Sequence, residues 1–161
     1  DNQTFKINLN DYNKKQVTSW LKKNVLNHLK EEPAYSSKLA FTKISNFLKN
    51  YSCGDKISLV TAGKILDLSL IFDLYRFSKK NKSTKFHWLY DLPDYLSHND
   101  HLDLNTMFYL AGLKNINREN FANLKLKNQK HNALYDAIVV KKCFTKLLNK
   151  FPKLKKEYKK K

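Results

Sequence analysis

The chain has 161 residues, 42% of them hydrophobic, and carries 31 Lys and Arg against 14 Asp and Glu, a net charge of +17. This apolar share argues against a disordered chain, and no apolar run is long enough to span a bilayer. Two cysteines, Cys53 and Cys143, are too few and too scattered for a disulfide framework or a zinc cluster, so a reduced, intracellular compartment, cytoplasmic by default, is the expectation.

In chain order, residues 4–9 (TFKINL) alternate apolar and polar and predict a strand. Residues 17–29 place Val17, Trp20, Leu21, Val25 and Leu29 at helical spacing, and Glu31, Glu32 and Pro33 end that helix. Ser36 or Ser37 then caps a second helix with an expected apolar face of Leu39, Phe41, Ile44, Phe47 and Leu48. Residues 56–62 (KISLVTA) suit a buried strand. Gly63 turns the chain into a helix over 66–77, striped by Leu66, Leu70, Ile71, Leu74 and Phe77, with Asp67 in its first turn.

Residues 79–84 read as a loop and 85–90 (KFHWLY) as a strand. Residues 103–112 form a short helix with an Asp cap and a Gly stop. The polar span 115–130 is expected to be irregular. The final helix covers 132–149 on Leu134, Ile138, Val139, Phe144, Leu147 and Leu148, and Pro152 breaks it. The expected organisation is one domain over 1–151 and a basic, solvated tail over 152–161. Strands alternating with helices predict an α/β domain.

Three places bear chemistry: Asp67, Asp103 and the pair His131 and Asp136 within HNALYDA. An aspartate in a first turn also caps free amides and favours the helix dipole. Residues five apart on a helix are about 140° apart, so His131 and Asp136 do not form one metal-binding stripe. With His131 in the loop before the helix and Asp136 in its second turn, both reach one cleft from different directions. That suits a carboxylate holding a metal and an imidazole taking a proton from water.

HNALYDA resembles the third motif, His-x-Ala-x-x-Asp, of the DEDDh 3′–5′ exonucleases of the RNase H-like superfamily. Residues 60–75 (VTAGKILDLSLIFDLY) resemble the second motif, a strand and glycine turn leading to a metal-binding Asp. Residues 102–113 (LDLNTMFYLAGL) and 17–24 (VTSWLKKN) are similar to two further helices of one branch, the small exonucleases and exoribonucleases related to phage exonuclease A. The resemblance implies an RNase H-like mixed sheet flanked by helices and metal-dependent hydrolysis of terminal phosphodiesters with two Mg²⁺ or Mn²⁺ ions. It makes Asp67 and Asp136 metal ligands and His131 the general base, and leaves Asp103 as a cap.

The family's first motif, Asp-x-Glu, has only the faint echo DNQTF, with Asp1 and Gln3 in its key places. The N-terminal strands are therefore expected to be absent or truncated. An upstream segment removed ahead of Asp1, or a partner chain, then completes the sheet, or the chain is a catalytically inactive relative that binds nucleic acid. Relatives often dimerise, so a homodimer is a further expectation. The positive charge attracts polyanions, although abundant Lys and Asn also fit an AT-rich genome, and single-stranded DNA or RNA is the expected partner. Trp88, Lys64 and Lys130 are candidate contacts to it. The HNDH run (98–101) reads as a solvated loop rather than a metal site. A small basic helical DNA-binding protein is the remaining alternative.

Overall fold

Short parallel strand pairs and seven helices make up the described part of the computed structural model, residues 8–9, 18–24, 34–52, 54–63, 66–78, 93–97, 99–124 and 132–159. The chain is thus mixed α/β and mostly helical. It divides into two units, Asp1–Ser58 with Asp67–Asp100, and Leu59–Leu66 with His101–Lys161.

In the first unit, β1 (Asn8–Leu9) pairs in parallel with β2 (Ala34–Tyr35), in the register Asn8 to Ala34 and Leu9 to Tyr35. Helix α1 (Ser19–Asn24) falls inside the expected helix, with Trp20 51% exposed rather than on an inward face. The expected strand and helix thus have described cores, while residues 4–7 and 25–29 lie outside the described residues. Helix α2 (Ser37–Ser52) packs on both strands. Ser36 caps it: the Leu39 amide donates to Ser36 Oγ at 3.4 Å and the Ala40 amide to Ser36 O at 2.8 Å.

The buried side of α2 is Ala40, Phe41 and Ser45, and Leu39 is 46% exposed. Leu39 and Phe41 lie about 200° apart on a helix and cannot share one face, which corrects the expected stripe. In α3 (Leu66–Ser78) Tyr75 packs on Phe41 with ring centroids 5.1 Å apart. Leu70, about 140° from Tyr75 around the helix, is 57% exposed, a second correction.

Ser45 and Tyr95, both buried, share a hydroxyl–hydroxyl hydrogen bond of 2.7 Å. Burial pushes the Tyr95 phenol above its ordinary range, and the Ser45 hydrogen bond partly opposes that shift. Beside it the Ile57 amide donates to Tyr95 O at 2.8 Å and the Ser97 amide to Ile57 O at 2.9 Å, forming a parallel bridge between Ile57 and Leu96.

The second unit is built on β3 (Val60–Thr61) and β4 (Leu102–Asp103), parallel, with Val60 opposite Leu102 and Thr61 opposite Asp103. The expected seven-residue strand is thus two residues long, and only Thr61 of the pair is buried. The expected strand at 85–90 lies outside the described residues. Helix α4 (Leu104–Leu110) follows β4 directly. It ends as the sequence predicts: Gly112 adopts φ +73°, its amide donates to Tyr109 O at 3.0 Å, and the Leu113 amide donates to Phe108 O at 2.9 Å. These are the two bonds of a Schellman motif, and the positive φ suits glycine.

The polar span after it is not irregular throughout. It holds α5 (Arg118–Phe121), opened by Asn117 Oδ1, which accepts from the Asn120 amide at 2.9 Å. Asn123, at φ 55°, closes it with the same pair of bonds, its amide to Asn120 O and the Leu124 amide to Glu119 O, each 3.0 Å. Asparagines that read as loop composition are the two caps of a one-turn helix.

Helix α6 (Ala133–Leu148) buries Tyr135, Val139, Cys143 and Leu147, four residues at i+4 intervals. Ile138, expected inside, is 37% exposed, because the seam is centred on Tyr135 rather than Leu134. Leu104, Met107 and Phe108 of α4 and Ala122 after α5 complete the cluster, with Ala62 and Leu102 packed against it. Pro152 does not end the ordered chain. It opens α7 (Pro152–Lys159), in the first turn, where the amide that proline lacks would have no partner within the helix, and Phe151 and Leu154 pack on the cluster. Through Lys159 the basic tail is therefore a helix, anchored by Phe151 and Leu154.

Cys143 is fully buried, its thiol donating to Arg118 O at 3.4 Å. Burial pushes its pKa up, against the lowering pull of Arg118 and Lys146. A raised folded pKa contributes stability that is complete below the unfolded thiol value, about 8.5, and lost as pH rises from there through the folded value. In a Cys53→Ser background, maleimide labelling of Cys143 should therefore be slow at neutral pH and accelerate above about pH 8.5 more steeply than thiolate formation in a free thiol. Labelling at the free-thiol rate would show the core of this unit to be open. In the first unit, Tyr95→Phe leaves the buried Ser45 hydroxyl without its partner and should cost about 1–2 kcal/mol in denaturant unfolding. An unchanged midpoint would contradict that.

Candidate functional site

Asp67 is the second residue of α3 and is exposed, and the helix follows β3 after the turn through Gly63. The strand end leading to it is held firmly within the second unit. The Ala62 carbonyl accepts from Asn105 Nδ2 and from Arg118 Nη1, both at 3.0 Å, and the Ala62 side chain packs on the α6 cluster. Sequence reading missed both donors. Arg118 is one of only two arginines in a lysine-rich chain, and that rarity was the available signal.

Asp136 is exposed and belongs to the first turn of α6, not the second. The helix starts at Ala133 because Asn132 caps it, Oδ1 accepting from the amides of Leu134 at 3.0 Å and Tyr135 at 3.5 Å. The Asp136 amide closes the turn on Asn132 O at 2.9 Å. In sequence His131 immediately precedes the cap. His131, Lys64, Lys130 and Trp88 lie outside the described residues.

Asp67 and Asp136 thus share a local setting, each an exposed carboxylate in the first turn of a helix of thirteen or more residues. Carboxylate oxygens suit Mg²⁺ or Mn²⁺, so the donor chemistry at each position fits those ions. Among the described residues, no three His, Cys, Asp or Glu side chains gather as a metal-holding group.

Asp103 is the N-cap of α4: its Oδ2 accepts from the Thr106 amide at 2.9 Å and the Thr106 hydroxyl at 3.0 Å. In the HNDH run, His101 is not solvated as expected but half-buried, its Nδ1 accepting from the Leu59 amide at 3.1 Å. That bond requires a deprotonated Nδ1, which places the proton of the neutral ring on Nε2 and ties the start of β3 to the start of β4.

The second unit also carries a cleft of about 530 Å³ at the C-terminal end of α4, lined among others by Asn105, Phe108, Tyr109, Lys114 and Ile116. Electrostatically the C-terminal stretch dominates, with ten lysines and one glutamate between residues 141 and 161. Lys142, Lys150, Lys153 and Lys156 are exposed. Lys146 is used internally, its Nζ donating to Phe121 O at 2.6 Å. No described helix is long and apolar enough to cross a membrane.

No protein-family model, no curated protein and no solved structure matches this chain.

Capping and metal ligation by Asp103 make different demands. Asp103→Asn keeps an N-cap acceptor and should leave stability within about 0.5 kcal/mol, whereas Asp103→Ala should cost about 1 kcal/mol. Neither should change divalent-ion binding measured by calorimetry. Loss of ion binding in Asp103→Asn would instead make Asp103 a ligand.

Proposed function

We propose that this chain is a metal-dependent 3′–5′ exonuclease or exoribonuclease domain of RNase H-like fold, acting on single-stranded nucleic acid. The observation that carries the reading is the start of α6. There the order His-Asn-Ala-Leu-Tyr-Asp has its asparagine as helix cap and its aspartate exposed in the first turn. Supporting it, the strand that leads to Asp67 packs through Ala62 on the same cluster as Tyr135 and Val139 of α6.

In this reading Asp67 and Asp136 would each offer carboxylate oxygens to divalent ions, which when bound supply a lowered pKa for an attacking water and offset charge on a leaving oxygen. His131 would be the base for that water's proton. Lysines draw in the polyanionic strand.

One specific observation favours a second reading. Among the described residues no three His, Cys, Asp or Glu side chains gather as a metal-holding group, as suits an inactive fold that binds a strand without cutting it. A further segment or a second copy of the chain supplying the other ligands restores the first.

A 5′-labelled single strand, DNA and RNA in parallel, incubated with Mn²⁺ separates them. The exonuclease reading requires a ladder that shortens from the 3′ end. Asp136→Ala should reduce it more than about 100-fold, consistent with the several kcal/mol that metal-ion stabilisation contributes. Its thermal midpoint should change little, since the side chain is exposed. Salt-sensitive binding without any shortening would establish the inactive fold.

A further inference from the structure

The cleft at the end of α4 stands apart in sequence from Asp67, His131 and Asp136, and its lining combines an exposed aromatic ring, an ammonium group and side-chain amides. Tyr109 is 66% exposed, and Leu110 beside it is 67% exposed. Fully helical neighbours do not cover them, because α4 ends at once: the Gly112 and Leu113 amides take the carbonyls of Tyr109 and Phe108, and the chain reverses. Asn115, at φ 55°, continues that reversal and brings Lys114 to the ring of Tyr109, with Nζ 5.9 Å from its centroid. That distance is at the outer limit of cation–π attraction, so the ring holds the ammonium weakly and an anion competes for it readily. The Ala111, Gly112 and Leu113 amides already satisfy carbonyls of the last turn, which blunts the negative helix end an anion would otherwise meet.

We propose that this cleft binds one unpaired nucleotide, its base stacked on Tyr109 and its phosphate paired with Lys114. Three features converge on that ligand class. A planar aromatic beside a cation is the pairing that single-strand binders use for base and backbone. The volume, about 530 Å³, is in the range of small-molecule sites. The net charge of +17 selects an anionic ligand over a neutral aromatic one. Asn105 lines the same cleft, and its Nδ2 donates to the Ala62 carbonyl at 3.0 Å, which fixes the orientation of its amide. The cleft would act as a second contact on the strand, and its assignment to a strand rests on the single-strand partner proposed above.

The test uses the full chain with chelator present, so that cleavage does not intervene. Fluorescence anisotropy follows labelled oligothymidylate and oligouridylate, and competition with thymidine and uridine monophosphates asks whether a free nucleotide suffices. Tyr109→Ala should weaken strand binding about 5- to 150-fold, the loss typical of one base–aromatic stack, while Tyr109→Phe should bind as the parent does. Lys114→Gln should lower the magnitude of the salt slope, log K against log salt concentration, by about 0.7, as expected for one lost phosphate contact. Monophosphates that compete with a dependence on Tyr109 identify a nucleotide pocket, and a strand dependence without such competition identifies a subsite of an extended track. Equal binding by parent and Tyr109→Ala overturns the assignment, as does loss in Tyr109→Phe equal to that in Tyr109→Ala. Since Tyr109 is exposed and alanine is the best helix former, misfolding does not explain a loss, and circular dichroism checks it. Cleavage that persists with binding unmoved by Tyr109→Ala sinks this inference alone, and Tyr109-dependent binding without cleavage sinks the exonuclease reading alone.

Discussion

The second unit depends on one seam, the i+4 series Tyr135, Val139, Cys143 and Leu147 along α6. Each such side chain contributes roughly 1.5–3 kcal/mol on leaving water, and among the described residues no other element of the unit buries as many. The seam also decides which way Asp136 faces. Asp136 follows Tyr135 by one residue, so burying the tyrosine turns the aspartate about 100° away from the core and into solvent. A seam centred one residue later would place a carboxylate against Leu104 and Met107, where its charge is strongly disfavoured. The exposure of Asp136 is thus a consequence of packing.

Helix ends are managed by the residues that the composition makes abundant. Asn117 and Asn132 accept at helix starts, Asn123 takes a left-handed turn at a helix end, and Asp103 and Ser36 cap two more helices. Short amide side chains serve both ends because they accept from free amides and tolerate positive φ better than other side chains. A chain with three glycines can therefore close α5 without one. The lysines are likewise put to structural use. Lys146 satisfies the Phe121 carbonyl near the end of α5, and Lys155 Nζ donates to Asn149 Oδ1 at 2.6 Å between α6 and α7.

Much of this was legible. The helices over 37–52, 66–78, 104–110 and 133–148 follow from hydrophobic spacing and cap residues, and the Asp103 and Gly112 signals mark both ends of α4. What was not legible has physical causes. The inward faces of α2 and α6 are set by tertiary partners, Tyr95 for Ser45 and Leu104 and Phe108 for Tyr135. A polar serine or an amphipathic tyrosine thus displaces Leu39 and Ile138 from the interior. Helix α5 is a single turn, too short for any periodicity to register, and α7 hides one inward leucine among lysines. The side-chain bonds of Asn105 and Arg118 to the Ala62 carbonyl span more than forty residues, and no local pattern encodes such a pairing. At the candidate site, residue types and order were legible, while the turn occupied by Asp136 depended on which residue capped the helix.

Positive charge and the candidate-site carboxylates are carried by different residues in this chain, and that separation has a physical rationale. Lysine ammonium groups attract a polyanion from a distance, yet each works as a point charge and specifies little about where a phosphate comes to rest. Carboxylates do the opposite: they repel the strand and serve it only through a divalent ion that both can share. Asp67 and Asp136 each stand in the first turn of a helix, where the dipole favours negative charge. Exposed lysines stand at Lys142 and Lys150 and, on α7, at Lys153 and Lys156. Under the proposed reading, salt would weaken the encounter with a strand, and removal of divalent ions would act on the chemistry that follows it. The two dependences would report on different parts of one chain.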